Sequence, residues 1–515
     1  MPGAILSAHL KSAIRNYALL FAGCVLFHAV GTWSLPLVDR DEPRFAEASR
    51  EMIQRGDYIV PYFNDHSRLD KPPLAYWAQA ASYRLFGEND FAARFPSAIA
   101  AALVALSIFA WGTRVGGNSV GWWAAIIFTL SLQTFLHAKA AVADMWLVLF
   151  VTLAHWSGFE LIGCSSSESK HETSNPPSRC YGAAGVEHRT SNLWWWMFYV
   201  SLAFGFLAKG PIGWAPLATV AATKFFLLDG RLASRFKFAR GVLLMLAILA
   251  LWGIPALVRT HGQFFVVGIG RHVVGRSFAS MEGHGANSFG MYLLLLPFYF
   301  VTIFISFFPW SVKLPWLTKK LWRRRDAIDN YLSAGVAIIF IIFSLIKTKL
   351  PHYTLPAFPL IALLLARRVT TEGSMHFVRN CAFASVSVYL AIALVVPPFV
   401  ARFFPAYELF QKSRDDLWPD MEFGAVDFSE PSLIWYFRSR VSGYLTPLNS
   451  SRMADFMAKA GPRLVIVPTS LTTTLFADHP ENWKMFSTRG FNIAKGKRVE
   501  LTLVLKLERP NLTIH

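Results

Sequence analysis

The sequence predicts a mainly α-helical protein that crosses a membrane many times, followed by a small soluble α/β domain. Of its 515 residues 54% are hydrophobic, and the mean hydropathy is +0.37, well above that of ordinary soluble domains. Apolar runs of about 17–22 residues recur through the first 400 positions, and a helix of about 20 residues spans the hydrocarbon core of a bilayer. The 44 Phe and 18 Trp residues fit lipid-facing helices and interfacial aromatic belts.

Apolar runs predict about eleven membrane spans. They cover residues 17–38, 95–112, 119–137, 143–163, 194–208, 211–228, 241–258, 291–311, 331–346, 352–366 and 380–400. The first is expected to be retained rather than removed as a signal peptide, because no small-residue cleavage site follows it. With the N-terminus inside, the Lys and Arg clusters at 231–240, 313–325 and 367–379 all fall on the inner side, as the positive-inside rule requires. This orientation places the loop 39–93 on the outer side.

The outer loop 39–93 is expected to hold two short amphipathic helices. Apolar residues recur at helical spacing over 43–54, and Pro43 suits the first turn of a helix. A second apolar stretch follows Pro72-Pro73. Both helices are predicted to lie flat on the membrane surface. The polar, Ser-rich loop 164–193 on the inner side is interpreted as an insert without chemistry.

The pattern changes near residue 400. Apolar runs at 463–467 and 499–505 predict strands, and 451–460 predicts a helix. We therefore expect a transmembrane domain over 1–400 and an outer soluble α/β domain over 401–515. No internal repeat is evident, which weakens a transporter interpretation.

The formal net charge of +18 would suggest a nucleic-acid partner in a soluble protein. Here most of the excess lies in short loops between apolar segments, so it is interpreted as a topology signal and no nucleic acid is expected. The four cysteines show no metal or redox spacing, and no disulfide framework is predicted.

Five groups of polar residues fall on the predicted outer side. In the first, Asp41-Glu42-x-Arg44, a carboxylate could activate an acceptor and the guanidinium could hold phosphate oxygens, or the acids could simply favour a helix N-terminus. Asp144 lies at the outer end of an apolar span, either as an N-cap or as a second site carboxylate. Lys209 separates two apolar spans, either snorkelling to the interface or contributing to the same site.

The fourth group runs from Arg271-His272 to Arg276 and on to Glu282-Gly283-His284. Its histidines and glutamate could ligate a divalent metal, although the spacing is not that of a dedicated site. The fifth group is Lys347-Thr348-Lys349-Leu350-Pro351-His352-Tyr353, where the lysines could instead anchor helix ends. Because all five groups share one side, they predict acids and cations converging beside a membrane cavity, which suits an anionic lipid.

These motifs resemble those of the GT-C glycosyltransferases that use polyprenyl-phosphate sugars. That group includes the bacterial lipid A aminoarabinose transferases and relatives of the protein O-mannosyltransferases. The resemblance covers roughly residues 15–370. It rests chiefly on Asp41-Glu42-Pro43-Arg44-Phe45-Ala46-Glu47, Asp70-Lys71-Pro72-Pro73, Ala143-Asp144-Met145, Ala208-Lys209-Gly210 and Lys349-Leu350-Pro351-x-Tyr353.

The resemblance implies roles for individual residues. Asp41 and Asp144 match the two essential carboxylates of the family. The residues matching its donor-phosphate contacts are Arg44, Lys71, Lys209 and, more loosely, Arg276. Further cavity candidates are Glu42, Asp70, His272, Lys349 and Tyr353. The chain departs from the aminoarabinose transferases in carrying Asp70 where they usually have Glu and Arg271 where they usually have Glu before the His, so the sugar and any metal stay open.

The resulting expectation is a membrane glycosyltransferase. It would move a sugar from a polyprenyl-phosphate donor to a lipid A-like glycolipid or a protein, with inversion, on the outer side of the plasma (inner) membrane. No cofactor is clearly required, and a divalent metal stays open. The alternatives are a flippase or transporter of polyprenyl-linked lipids, and a non-enzymatic envelope assembly protein that binds through its C-terminal domain.

Overall fold

The computed structural model describes residues 2–163, 184–227, 235–275, 288–372, 375–476 and 483–507. Its helices are α1 Pro2–Ala29, α2 Asp41–Arg55, α3 Leu74–Phe86, α4 Asp90–Gly116, α5 Asn118–Thr129, α6 Leu132–Ala138, α7 Asp144–Gly163, α8 Ala184–Lys209, α9 Ala215–Leu227, α10 Phe238–Arg259, α11 Phe289–Leu294, α12 Phe298–Ser306, α13 Leu314–Arg323, α14 Ala327–Leu345, α15 Phe358–Glu372, α16 Met375–Ala401, α17 Pro405–Ser413, α18 Pro431–Phe437, α19 Ser450–Ala458 and α20 Thr469–Leu475. Its strands are β1 Tyr62–Phe63, β2 His66–Ser67, β3 Glu422–Val426, β4 Thr446–Leu448, β5 Arg463–Pro468, β6 Trp483–Asn492 and β7 Lys497–Lys506.

Six of the described helices are long and apolar enough to cross a membrane: α4, α7, α10, α14, α15 with the 3-10 turn that precedes it, and α16. A seventh span is reached if α5 and α6, which meet at an angle of 68°, form one broken crossing. The predicted count of eleven is therefore not confirmed.

Two of the predicted spans differ from the helices found. The stretch 291–311 is divided into α11 and α12 by a turn that ends at Pro297, because proline supplies no N–H to continue the preceding helix. The predicted span 17–38 ends earlier, at Ala29. Gly31 follows with a φ of +79°, and a Cβ there would lie 2.0 Å from the carbonyl oxygen of Ala393, so only glycine lets the chain turn against α16.

The two helices predicted in the outer loop are present as α2 and α3. The expected position of α2 flat on the membrane surface is wrong, because both its apolar and its polar side are buried in protein. On the polar side, Glu47 is 0% and Arg50 1% exposed, and α18 of the C-terminal region packs there through Trp435 and through Arg438, the residue that follows the helix. A charged surface of this kind needs partners within the protein rather than lipid headgroups.

The C-terminal region contains a five-stranded sheet in the order β4-β3-β5-β7-β6. Strand β3 pairs in parallel with β4 and β5, whereas β7 runs antiparallel to β5 and β6. Side chains alternate along β5: Leu464 and Ile466 pack with α18, and Val465 and Val467 pack with α19, as the period of two in a strand requires. The strands predicted at 463–467 and 499–505 and the helix at 451–460 are confirmed as β5, β7 and α19.

A buried ionic network attaches α18 to α2. Glu47 accepts from Arg50 Nη1 at 2.6 Å and from Arg438. The guanidinium of Arg50 also donates to the Trp435 carbonyl at 2.9 Å and lies 3.9 Å over the Trp435 ring. Arg438 additionally lies 3.2 Å from Glu51. Because each acid has a base, the charges can be buried without water.

We predict that Arg438→Met strongly destabilises the protein. The substitution keeps most of the side-chain volume but leaves Glu47 and Glu51 short of a cation, and removing one partner of a buried pair costs about 3–5 kcal/mol. The measurement is the thermal midpoint of the detergent-purified protein, followed by tryptophan fluorescence. The matched control is Arg489→Met, because the Arg489–Glu500 pair is exposed and is worth at most about 1 kcal/mol. Equal midpoints for the two variants would contradict the network's role.

Candidate functional site

A cavity of about 380 Å³ opens between the membrane helices. We call it the lysine cavity, because Lys71 and Lys209 are its two cationic residues. Its other polar lining residues are Asp70, Asp144, His352 and Tyr353, and the rest of its wall is mainly apolar. An apolar cleft with a few converging charges is the usual form of a ligand site.

Most of these polar side chains lie at the ends of helices or in the turn before a helix. Lys209 is the last residue of α8, and Gly210, with a φ of +84°, terminates the helix before the Pro211–Trp214 3-10 turn. Asp144 is the first residue of α7, where a carboxylate is favoured by the helix dipole. His352 and Tyr353 belong to the 3-10 turn Pro351–Ala357 that leads into α15.

Asp144 and Lys209 form an ion pair inside the lysine cavity. Lys209 Nζ lies 2.5 Å from Asp144 Oδ1, and the ammonium is 5.7 Å from the centre of the Tyr353 ring. Asp144 is 8% exposed, so its charge needs this partner. Of the two carboxylates that match the family motif, Asp144 is therefore paired with a lysine and holds it in place.

Two histidines, His137 and His352, adjoin this pair. The rings of His137 and His352 have centroids 4.9 Å apart, and His352 Nε2 lies 4.0 Å from Asp144 Oδ1. His352 belongs to the fifth polar group, whereas His137 lies in an apolar stretch with no motif around it. Only the fold brings α6 and the 351–357 turn together, so no local signal could have identified His137.

A second cavity, of about 430 Å³, lies beside Asp41. We call it the carboxylate cavity. Its polar lining residues are Asp39, Arg40, Asp41, Glu42, Arg94, His137 and Lys139, and its apolar wall includes residues of α6 and α16. Asp41 is exposed to this cavity and does not line the lysine cavity. His137 lines one cavity and His352 the other, so the histidine pair lies where the two approach each other.

Glu42 and Lys349 have structural partners. Glu42 accepts from Arg94 at 2.7 and 2.9 Å and from the backbone N–H groups of Val38 and Ala141, both at 2.7 Å. Lys349 donates to the carbonyls of Phe343 and Ser344 and to that of Ile346; it caps the end of α14 and does not line the lysine cavity. These contacts agree with the alternative interpretation of the fifth polar group, in which the lysine anchors a helix end.

Of the remaining candidate residues, some line the lysine cavity and others do not. Asp70 accepts from Arg68 Nε at 2.9 Å and lies 3.8 Å from Lys71 Nζ, at the rim of the lysine cavity. Arg44 is half-buried on α2 and lines neither cavity. Arg276, the side chain of His272 and residues 282–284, for which the sequence leaves metal ligation open, lie outside the described residues.

Comparisons with known proteins agree with this architecture. Residues 70–166 match the family described as dolichyl-phosphate-mannose-protein mannosyltransferase, a range that includes Asp70, Lys71 and Asp144. The chain is 28% identical over 419 residues to an undecaprenyl phosphate-alpha-4-amino-4-deoxy-L-arabinose arabinosyl transferase of Erwinia tasmaniensis, covering 78% of this chain and 68% of that protein. It is 24% identical over 420 residues to an uncharacterized protein of Aquifex aeolicus, covering 79% and 74%.

Among solved structures, the fold is similar to that of ArnT from Cupriavidus metallidurans. The TM-score is 0.73 to the structure bound to undecaprenyl phosphate, at 17% identity, with 96% of this chain and 99% of that chain covered. The apo structure gives a TM-score of 0.69. The chain is a glycosyltransferase whose sequence and fold are similar to those of these proteins. With its several apolar spans, this glycosyltransferase is a multi-pass membrane protein.

Asp39 connects the carboxylate cavity of the glycosyltransferase to its C-terminal region. Its two oxygens accept from the backbone N–H of Ser432 at 2.9 Å and from the Ser432 hydroxyl at 2.6 Å. Burial raises the pKa of Asp39 to about 6, the two Ser432 hydrogen bonds oppose the increase, Glu430 adds to it, and Arg44 lowers it. The fold therefore binds a proton at Asp39 more tightly than the unfolded chain, whose carboxyl titrates near pH 4.

We predict that Asp39→Asn raises the thermal midpoint at pH 7.5. Protonation of Asp39 stabilises the fold fully below about pH 4, and this contribution is lost as the pH rises through 6. The asparagine stays uncharged and can still bond with Ser432, so its advantage should shrink towards pH 4.5. The measurement is the midpoint of each protein across this range, with the exposed Asp455→Asn as control. A lower midpoint for Asp39→Asn at pH 7.5 would refute the assignment.

Proposed function

We propose that this glycosyltransferase moves a sugar from a polyprenyl-phosphate donor to a glycolipid acceptor on the outer side of the plasma membrane. The observation that carries the proposal is the ammonium of Lys209, held on buried Asp144 and opening with Lys71 into an apolar cavity between membrane helices. The similarity to proteins named for undecaprenyl-phosphate substrates supports the donor class. The positive-inside pattern of the loops supports the outer orientation.

The lysine cavity has the features needed to hold a lipid phosphate. Its wall includes Leu147, Val148, Phe206, Ile342 and Phe343, side chains that suit the first prenyl units of a long chain. The two ammonium groups lie at the polar part of the wall and would bind phosphate oxygens through charge-assisted hydrogen bonds. Lys209 Nζ also lies 5.7 Å over the centre of the Tyr353 ring, within the range of a cation–π attraction.

The reaction would be a direct displacement at the anomeric carbon. The bond from that carbon to the phosphate oxygen breaks, its electron pair leaves with the polyprenyl phosphate, and the acceptor oxygen forms the new bond from the opposite face, which inverts the configuration. The leaving phosphate is a weak base and needs no general acid. Lys71 and Lys209 would stabilise the charge that develops on it, with Asp144 positioning Lys209, and Asp41 would take the proton from the acceptor hydroxyl or orient an acceptor phosphate.

The acceptor would approach through the carboxylate cavity. Asp41 is exposed there, Arg40 also lines the cavity, and the apolar part of the lining includes Phe135, Ile392 and Val396. A polar group set against an apolar wall suits an acceptor that carries both a headgroup and acyl chains. A transporter is not favoured, because Lys71 and Lys209 line a single cavity instead of marking a path through the spans.

We predict that Asp41→Asn abolishes sugar transfer while leaving the protein folded and inserted. Asp41 is exposed at the start of α2, so its substitution removes a base without burying an unpaired group. The measurement is transfer from a radiolabelled polyprenyl-phosphate sugar to an envelope lipid extract by protein in nanodiscs. The control is Asp420→Asn, an exposed aspartate of the C-terminal region. A fully active Asp41→Asn variant would overturn the assigned role.

We predict that Lys71→Met weakens binding of a polyprenyl phosphate by about 10–100-fold. One charge-assisted hydrogen bond is worth about 1.5–3 kcal/mol, and each 1.4 kcal/mol changes affinity tenfold. The double variant Asp144→Asn/Lys209→Met should bind still more weakly, without leaving a buried unpaired charge. Tryptophan fluorescence titration with the lipid gives the dissociation constants.

The controls for this titration separate binding from stability. Lys495→Met changes an exposed lysine and should not alter affinity. Lys349→Met removes the cap of α14 and should lower the thermal midpoint instead. Unchanged affinity in Lys71→Met and in the double variant would refute the lysine cavity as the donor site.

A further inference from the structure

We propose that His137, Asp144 and His352 bind a divalent cation, for which Zn²⁺ suits the ligand set, and that the donor phosphate completes its coordination. The phosphate part of this inference rests on the proposed function; the cation site itself rests on geometry. One ligand atom from each of the three residues lies within 4.8 Å of the others. Two imidazoles and a carboxylate with a position left open form the ligand set of many catalytic zinc sites.

Three separate elements supply the ligands. His137 is on α6, Asp144 begins α7, and His352 is in the turn Pro351–Ala357. A tetrahedral ion with bonds of about 2.0–2.1 Å needs its ligand atoms about 3.4 Å apart, so they must approach by roughly 1 to 1.5 Å. Rotation about side-chain bonds covers such a distance. The ion would lie between the two cavities, since His352 and Asp144 line one and His137 lines the other.

The His137 ring is oriented by a neighbour one helical turn away. The side-chain nitrogen Nε2 of Gln133 lies 2.9 Å from His137 Nδ1, which leaves Nε2 of the imidazole for the ion. For that atom to ligate, Nδ1 must carry the proton, and the carboxamide of Gln133 can accept it after rotating by half a turn. A hydrogen-bonding partner on the second imidazole nitrogen is a regular feature of metal-binding histidines.

Charge balance connects the cation to a phosphate. Asp144 Oδ1 holds Lys209 at 2.5 Å, and the second carboxylate oxygen remains to ligate the ion. Neutral imidazoles add no charge, so the ion, Lys209 and Asp144 together carry about two positive charges. An anion in the lysine cavity would offset them, and a phosphate supplies oxygen ligands as well as charge. Cation and lipid phosphate should therefore increase each other's affinity.

The experiment uses the full-length protein in nanodiscs after chelator treatment. Co²⁺ replaces Zn²⁺ as the probe because its visible d–d bands report tetrahedral or five-coordinate ligation. Co²⁺ is titrated with and without a polyprenyl phosphate. We expect about one tightly held ion per chain, a lower dissociation constant with the lipid, and a change in the bands when it is added. Gln133→Leu should weaken Co²⁺ binding by about 10–100-fold with little effect on folding.

Direct ligand variants identify the site. His137→Gln and His352→Gln should each lose the Co²⁺ bands, whereas His66→Gln, at an exposed histidine of β2, should keep them. Thermal midpoints verify that the variants fold. Bands absent from the wild type, or retained in both ligand variants and in Gln133→Leu, would overturn the site. Bands that respond to the three residues but not to the lipid would overturn its link to phosphate.

The failure of this inference can be distinguished from that of the proposed function. Sugar transfer that continues unchanged in chelated, Co²⁺-free protein would refute the cation's part in donor recognition and leave the glycosyl transfer intact. Co²⁺ bound by the histidines in a protein that neither binds nor consumes a polyprenyl-phosphate sugar would refute the proposed donor instead.

Discussion

The buried ion pair of Glu42 and Arg94 is the contact on which the site depends most. Glu42 is 5% and Arg94 1% exposed, and the pair joins the first turn of α2 to the first turns of α4. Arg94 also donates to the carbonyls of Thr32 and Pro36, and Glu42 accepts from the N–H of Ala141. One pair therefore fixes the segment that leads to Asp41 and the loop that leads to Asp144. Its net contribution to stability is small, because desolvation offsets attraction, but it determines where both acids stand.

The C-terminal region also stabilises the segment that precedes Asp41. Asp39, two residues before Asp41, accepts both polar hydrogens of Ser432, and Trp435 donates to Asp90 at the start of α4. The backbone N–H of Leu37 donates to the Tyr436 hydroxyl at 2.8 Å. Helix α18 thus supports the same segment that Glu42 and Arg94 hold. The segment before Asp41 is therefore held by two separate sets of contacts.

The sequence predicts the parts of this molecule that depend on local patterns. Apolar runs give most of the helices, and the strands β5 and β7 follow from short β-branched and leucine-rich segments. The motif residues Lys71, Asp144 and Lys209 line one cavity. Their shared side follows from topology, but their distances do not: topology alone could not show that Lys209 is paired with Asp144 or that Asp41 opens on the neighbouring cavity.

Other features depend on long-range contacts that no local pattern contains. Glu42 and Lys349 carry the motif's charges but have their hydrogen-bonding capacity filled by backbone groups and Arg94. The covered polar side of α2 requires a partner about 390 residues away in sequence, as the Arg438–Glu47 bond shows. His137 becomes a site residue only because α6 bends by 68° from α5 and brings its imidazole to His352.

The position of the two cavities also bears on stereochemistry. A displacement with inversion needs the nucleophile and the leaving group on opposite faces of one carbon, so donor and acceptor must enter from different directions and meet at a short distance. The lysine cavity and the carboxylate cavity approach each other at the His137–His352 contact, where the ring centroids are 4.9 Å apart. A sugar bound beside this contact would have the phosphate towards Lys209 and the acceptor towards Asp41. The separation of the two acids into different cavities, which the motifs do not predict, is what such a reaction requires.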